Sequence, residues 1–162
     1  MKVFHGSTAI VRDPDVSAGR DHLDFGKGFY LTDLEEQAIS WATRPLNASK
    51  RKFINVYDFD IDSALESGCR CIEFGEYNEG WLQFVVSNRK GGDDWKAYDI
   101  IKGGIANDRV FNTIELYSAG LISTAEALQR LAYEKPNNQI CILNQEVVDK
   151  YLRFVTANEI VK

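Results

Sequence analysis

A chain of 162 residues is long enough for one well-cored domain and short for two. Its 44% hydrophobic and 27% charged residues are those of an ordinary globular protein, and a formal net charge of -5 opposes unaided binding to a polyanion. No stretch approaches the ~18 apolar residues of a membrane span and nothing at the start resembles a secretory leader, so a cytoplasmic protein away from membranes is expected.

The opening MKVFHGS reads as a short strand, followed by about ten irregular residues with Pro14 and Gly19. FGKGFYLT (25–32) is a glycine-punctuated turn leading into a second strand. Asp33 then stands at an N-cap position with Glu36 three residues on, so LEEQAISWATR is predicted as a helix opened by a capping box. Arg44 to Lys52 (RPLNASKRK) is the most basic stretch and reads as a solvated loop or a local patch for phosphates. KFINVYDFDI (52–61) alternates as a half-buried strand does. Cys69, Cys71 and Cys141 are an odd set, and the CRC spacing does not suit a zinc knuckle; reduced thiols and no metal are expected.

EYNEGWLQFVVSNRK (76–90) has helical character and ends near Gly91-Gly92, with Trp81 and Phe84 forming a face for a core or an interface. AYDIIKGGIAND (97–108) reads as a strand interrupted by glycines. Ser123 with Glu126 opens a further helix, STAEALQRLAYEK. After Pro136-Asn137-Asn138, QICIL is a short buried strand, and QEVVDKYLRFV fits either a helix or a strand. Short strands and helices alternate without a G-x-G-x-x-G after the first strand, which points to an α+β fold of small sheets flanked by helices.

Three places put an unusual residue at the end of a strand: His5-Gly6-Ser7, the GKGFYLT turn with Gly28 and Tyr30, and Asn138-Gln139 before ICIL. Each alone has an ordinary reading as a structural histidine, a turn, or a surface amide. Together they resemble the signature of the ADP-ribosyltransferase superfamily, in its H-Y-E branch with the poly(ADP-ribose) polymerases. The chain also looks like a bacterial family of small, stand-alone proteins sharing HGS, DFGKGFYLT and a late NQI.

The resemblance covers nearly the whole chain and implies a single domain over 1–162: a split β-sandwich with an NAD cleft and flanking helices. It implies NAD as co-substrate, with His5, Tyr30 and Gln139 as catalytic triad. Gly6 would offer its backbone to the nicotinamide carboxamide, His5 would bond a ribose hydroxyl, and Ser7 and Gly28 would lie beside them. Tyr30 would stack on the nicotinamide. Trp41 falls where a second stacking aromatic belongs and equally suits a core position, while Ala38 replaces a serine found in some members.

Gln139 departs from the family's glutamate. A neutral amide stabilises an oxocarbenium-like transition state less well than a carboxylate, by on the order of a few kcal/mol in a dry site. The substitution favours mono-ADP-ribosylation of a macromolecule over polymer synthesis, with a nonhydrolysing NAD or ADP-ribose binding module and an NAD glycohydrolase as alternatives. Small stand-alone members of the superfamily it resembles often act as toxins in toxin–antitoxin or phage-defence systems, so the resemblance implies a neutralising partner protein. Asp108-Arg109 reads as a site element or a turn with a surface ion pair; Glu115 has no assigned role; Arg89 and Lys27 are cations that could meet a diphosphate. Loops 8–24 and 91–112 are expected to rim the cleft and to choose the acceptor, nucleic acid included.

Overall fold

The computed structural model describes residues 1–104, 106–134 and 138–161. The fold is α+β. Seven strands, β1 (Lys2–Ser7), β2 (Phe29–Leu31), β3 (Phe53–Phe59), β4 (Cys71–Glu73), β5 (Ile100–Gly104), β6 (Asn138–Ile142) and β7 (Leu152–Glu159), form two sheets. One is antiparallel in the order β1-β3-β7; the other runs β2-β6-β5-β4, with β4 parallel to β5 and the remaining pairs antiparallel. Six α-helices accompany them among the described residues: α1 (Glu35–Ala42), α2 (Ile61–Glu66), α3 (Glu79–Arg89), α4 (Asp108–Ser118), α5 (Thr124–Leu131) and α6 (Gln145–Tyr151). No helix among the described residues is long and apolar enough to cross a membrane.

Strand alternation sorts the core into layers. Val3, Leu31, Tyr57, Phe59, Ile100 and Ile140 meet between the two sheets. The opposite face of the second sheet, carrying Ile101 and Cys141, packs on Trp81, Val85, Ile114 and Leu131 of the helices that cover it. A smaller cluster of Phe4, Ile54 and Val56 lies beneath Ala38 and Ala42 of α1. Each large apolar side chain so buried contributes ~1.5–3 kcal/mol.

Several predicted elements stand where the spacing put them, and others shift. The 76–90 helix is α3, capped by the Asn78 side chain on the Trp81 N–H at 3.0 Å. Its Trp81 and Phe84 face is core, not interface. Ser123 caps α5 through the Glu126 N–H at 3.1 Å. QEVVDKYLRFV is both of its readings in turn, α6 and then β7. The capping box at Asp33 does not form: the N-cap of α1 is Leu34, and the Asp33 carboxylate accepts from Asn138 Nδ2 at 3.0 Å, because the chain leaves β2 against the first residue of β6. β5 is continuous; its two terminal glycines leave room for the rings of Phe25 and Tyr77 instead of making a bulge. The expected loop 91–112 holds β5 and the start of α4, where Asn107 accepts from the Arg109 and Val110 N–H groups. Pro136 and Asn137 lie outside the described residues.

The second sheet is pinned at one end by Asp99. Its carboxylate accepts from the Arg70 N–H, from Arg70 Nε and Nη2, and from Asn144 Nδ2, all at 2.9–3.1 Å. Its carbonyl accepts from the Leu143 N–H at 2.9 Å. The starts of β4 and β5 and the end of β6 therefore converge on one side chain. The Arg70 hydrogen bond is the main reason the Asp99 carboxyl falls to about 2. That contribution is present above the ordinary carboxylate range and is lost as pH falls through about 2. Asp99→Asn should lower the thermal midpoint at pH 7 by about 3–12 °C, from charge-assisted bonds of ~1.5–3 kcal/mol and ~2–4 °C per kcal/mol in a domain of this size. Differential scanning calorimetry checks it, and an unchanged midpoint would show that Asp99 does not hold the sheet.

Candidate active site at the junction of the sheets

The sheets touch through one rung. Phe4 donates its N–H to the Thr32 carbonyl at 2.8 Å, and Thr32 donates back to the Phe4 carbonyl at 3.0 Å. In an antiparallel pair, alternate residues present both backbone groups to the same side. Gly6, two residues beyond Phe4, thus turns its N–H and C=O toward β2, where continued register would set it opposite Tyr30. The ladder does not continue. The Tyr30 carbonyl is taken instead by the side chain of His5, with Nδ1 at 2.7 Å. A gap opens between the β1 and β2 backbones at Gly6 and Tyr30.

A carbonyl only accepts, so His5 Nδ1 carries the proton and Nε2 is left as an acceptor with no hydrogen-bond partner among the described residues. The ring lies against Phe29, with centroids 4.5 Å apart at 35°. Burial pulls the imidazole below its ordinary value of 6.5, and the Tyr30 carbonyl only partly opposes this. His5 is therefore neutral at neutral pH.

Tyr30 is anchored at its far end. Its hydroxyl donates to the Gly26 carbonyl at 2.7 Å and accepts from the Phe25 N–H at 3.1 Å, closing the FGKG turn on itself. Burial raises this phenol well above its ordinary value. Gly26 has φ +84° and lies under the Trp95 ring, a conformation and a closeness that favour glycine. In the register of β2 and β6, Tyr30 pairs with Cys141. Gln139, two residues before Cys141, shares the face of the sheet that Tyr30 occupies. It is 5% exposed, donates Nε2 to the Gly104 carbonyl at 3.3 Å, and lines a cavity of about 160 Å³ with Asp33, Gly103 and Asn138.

His5, Gly6 and Tyr30 are thus gathered along one junction, and Gln139 lies one strand further on, on β6 beside Gly104. The other expected site residues have structural occupations. Ser7 closes a turn, its hydroxyl donating to the Ala9 carbonyl at 2.6 Å and accepting from Asn55 Nδ2 at 3.3 Å. A Cβ at Gly28 would come within 2.6 Å of the Ile142 carbonyl and 2.7 Å of Cys141 Sγ, so this glycine lets β2 lie close on β6. Gly6 has a similar duty: a side chain there would overlap the Ala38 carbonyl of α1. That duty concerns the face of the strand and leaves the backbone groups at its edge. Trp41 is half-buried and outside all three core clusters; Ala38 and Ala42 form the inner face of α1. The core reading of Trp41 therefore fails.

The expected cations are engaged elsewhere. Arg89 donates to Asp24 at 2.7 Å, pairs with Glu115 at 3.5 Å and lies over the Phe111 ring, which also gives Glu115 its occupation. Lys27 pairs with Asp21 at 3.7 Å. Asp108 and Arg109 are the first turn of α4, with Arg109 exposed and 3.9 Å from Glu134. Cys69, Cys71 and Cys141 are all free thiols.

Residues 1–154 match the model of a family described as a protein of unknown function, DUF3990. The chain belongs to this family. No curated protein and no solved structure matches it. The matched span takes in His5, Tyr30, Gln139 and all of the junction between the sheets.

The depressed value of His5 fixes a sign. The unfolded chain binds a proton on this imidazole more readily than the folded one, so stability from the neutral ring is present above 6.5 and is lost as pH falls through the lower folded value. The thermal midpoint of the native chain should fall between pH 7 and pH 5, and His5→Gln should flatten that slope. A slope that survives His5→Gln would place the acid-sensitive group elsewhere.

Proposed function

We propose that the two-sheet arrangement is the ADP-ribosyltransferase fold and that the protein is an NAD-dependent mono-ADP-ribosyltransferase acting on a macromolecular acceptor. The observation that carries this reading is the interrupted junction. One rung joins β1 to β2, and the next is replaced by the bond from His5 to the Tyr30 carbonyl. Such a break exposes a donor and an acceptor on Gly6 side by side, which is what a carboxamide needs for two reciprocal hydrogen bonds. Tyr30 beside them offers an aromatic face to a cationic pyridinium, worth ~0.5–2 kcal/mol. His5 Nε2 is a neutral acceptor suited to a ribose hydroxyl. Gln139, held by Gly104, would be an uncharged contact where the ADP-ribosyltransferases it resembles carry a glutamate.

In that role the groups favour departure of nicotinamide by position and dipole. The bond between C1′ of the ribose and the pyridinium nitrogen breaks, the electron pair leaves with nicotinamide, and an acceptor nucleophile takes C1′. With no carboxylate at 139 to draw a proton from a second sugar hydroxyl, one ADP-ribose is transferred and no chain grows. The same neutral amide favours a second reading, in which the cleft holds NAD or ADP-ribose without turning it over.

Isothermal titration with NAD, alongside chromatographic detection of released nicotinamide, tests both. The native chain should bind NAD saturably, and His5→Ala and Tyr30→Ala should each weaken binding by at least about tenfold, the equivalent of ~1.4 kcal/mol. Nicotinamide release with label on a partner supports the transferase; release without label supports a glycohydrolase; binding without release supports the module. Absence of binding at millimolar NAD would remove all three.

A further inference from the structure

Nine arginines stand in the chain. Arg51, Arg70, Arg89, Arg109, Arg130 and Arg153 each face a carboxylate at 3.9 Å or less. Arg12 rests over the Phe154 ring, 5.0 Å from its centroid. Arg20 and Arg44 have neither an ion-pair partner nor a hydrogen-bond partner on their side chains among the described residues.

These two arise from separate segments, each with chain neighbours packed on one of the two strands that border the gap. Arg44 follows Thr43, the C-cap of α1, and α1 is the helix whose backbone at Ala38 and Ala42 lies over Gly6. Arg20 follows Gly19, which abuts Gly28 so closely that a Cβ would stand 2.6 Å from the Gly28 carbonyl, two residues before Tyr30. One arginine is therefore tied to the β1 side of the junction and the other to the β2 side. Arg44 is drawn below the ordinary arginine value, first by partial burial and then by the positive charge of Arg20. Two like charges without a counterion repel each other, and bringing them together is unfavourable until an anion lies between them. Half-buried Trp41, about one turn before Arg44, sets an aromatic surface alongside.

We propose that Arg20 and Arg44 form a diphosphate-binding subsite spanning the junction of β1 and β2, and that it grips the diphosphate of the dinucleotide whose nicotinamide end meets Gly6 and Tyr30. The identity of the dinucleotide rests on the NAD reading above; affinity for a diphosphate group does not. A guanidinium presents a planar fork of donors that meets two phosphate oxygens at once, and two forks from opposite sides match the two phosphates. This subsite takes the role that the sequence offered to Lys27 and Arg89, both of which have carboxylate partners. It also explains how a chain of net charge -5 can attract a dianionic ligand: the charge is local, on two side chains without an ion-pair partner among the described residues.

The test is isothermal titration of the native chain, Arg20→Gln, Arg44→Gln and the double variant with four probes: NAD, ADP-ribose, inorganic pyrophosphate and nicotinamide. Circular dichroism confirms that the variants keep their fold, as exposed arginines should. ADP-ribose and pyrophosphate should each weaken at least tenfold in the single variants and further in the double, with stronger loss at low salt, while nicotinamide is unaffected. Equal affinity for ADP-ribose and pyrophosphate in the native chain and the double variant overturns the subsite, whatever NAD does. Loss of pyrophosphate binding in the double variant, with no NAD binding by the native chain, upholds the subsite and removes the NAD reading. A short single-stranded DNA that binds through both arginines and is not displaced by pyrophosphate overturns the diphosphate assignment in favour of a nucleic-acid backbone.

Discussion

Everything proposed for the site depends on one hydrogen bond, from His5 Nδ1 to the Tyr30 carbonyl. Had β1 and β2 paired in full, that carbonyl would have accepted from the Gly6 N–H and the two sheets would have merged. A side chain replaces a backbone donor, so the strands stay together without their edges being satisfied against each other. The tether also selects the histidine tautomer, and with it the one nitrogen that is left to accept. Unpaired backbone groups at a sheet edge invite a partner. Here the invitation is confined to one residue, because Thr32 closes the gap on one side and the turn from Ser7 to Ala9 closes it on the other.

The glycines at the junction show how packing and binding use the same residue in different directions. At Gly6 the missing side chain admits the α1 backbone on the face of the strand, while the amide and carbonyl point along the sheet plane. Bringing α1 so close fixes where Trp41 and Arg44 stand relative to β1. Gly28 does the same for β2 against β6, and the abutting Gly19 carries Arg20 to the opposite rim. The geometry of the rim is thus a consequence of close backbone packing more than of any side-chain contact around it.

Much of this was legible in the sequence because it is local. Alternation exposed β3, short apolar runs exposed β1 and β6, and side-chain capping at Asn78 and Ser123 agrees with the helical periods of α3 and α5. The phrase FGKGFYLT was read as a turn into a strand, and it is one. What was illegible is tertiary. Asp33 had the pattern of a cap, yet Asn138, 105 positions away, is where its carboxylate goes. The helix α4 was hidden behind the two glycines of β5, although Asn107 at its start was a capping signal. His5 was singled out as a ligand to sugar, but its bond to the Tyr30 carbonyl has no trace in the spacing. Arg20 and Arg44 were invisible as a pair, since a cation is identified as unpartnered only after every carboxylate has been placed.

Gln139 is best understood from its surroundings. Its Nε2 donates to the Gly104 carbonyl in a setting only 5% exposed. A carboxylate in the same pose would set an acceptor against an acceptor with little water to separate them, at a penalty of ~1–3 kcal/mol for the unsatisfied carbonyl alone. The end of β5 is therefore built for an amide. In the proposed site, an amide at 139 brings no negative charge to the nicotinamide end, while Arg20 and Arg44 would put positive charge at the diphosphate end. Binding energy from the diphosphate is felt equally by ground and transition states unless the scissile bond is distorted, so it raises affinity more than rate. On the proposed reading, such a site would hold its dinucleotide firmly and cleave it slowly, the balance expected of a transferase whose acceptor, and not water, must arrive before turnover.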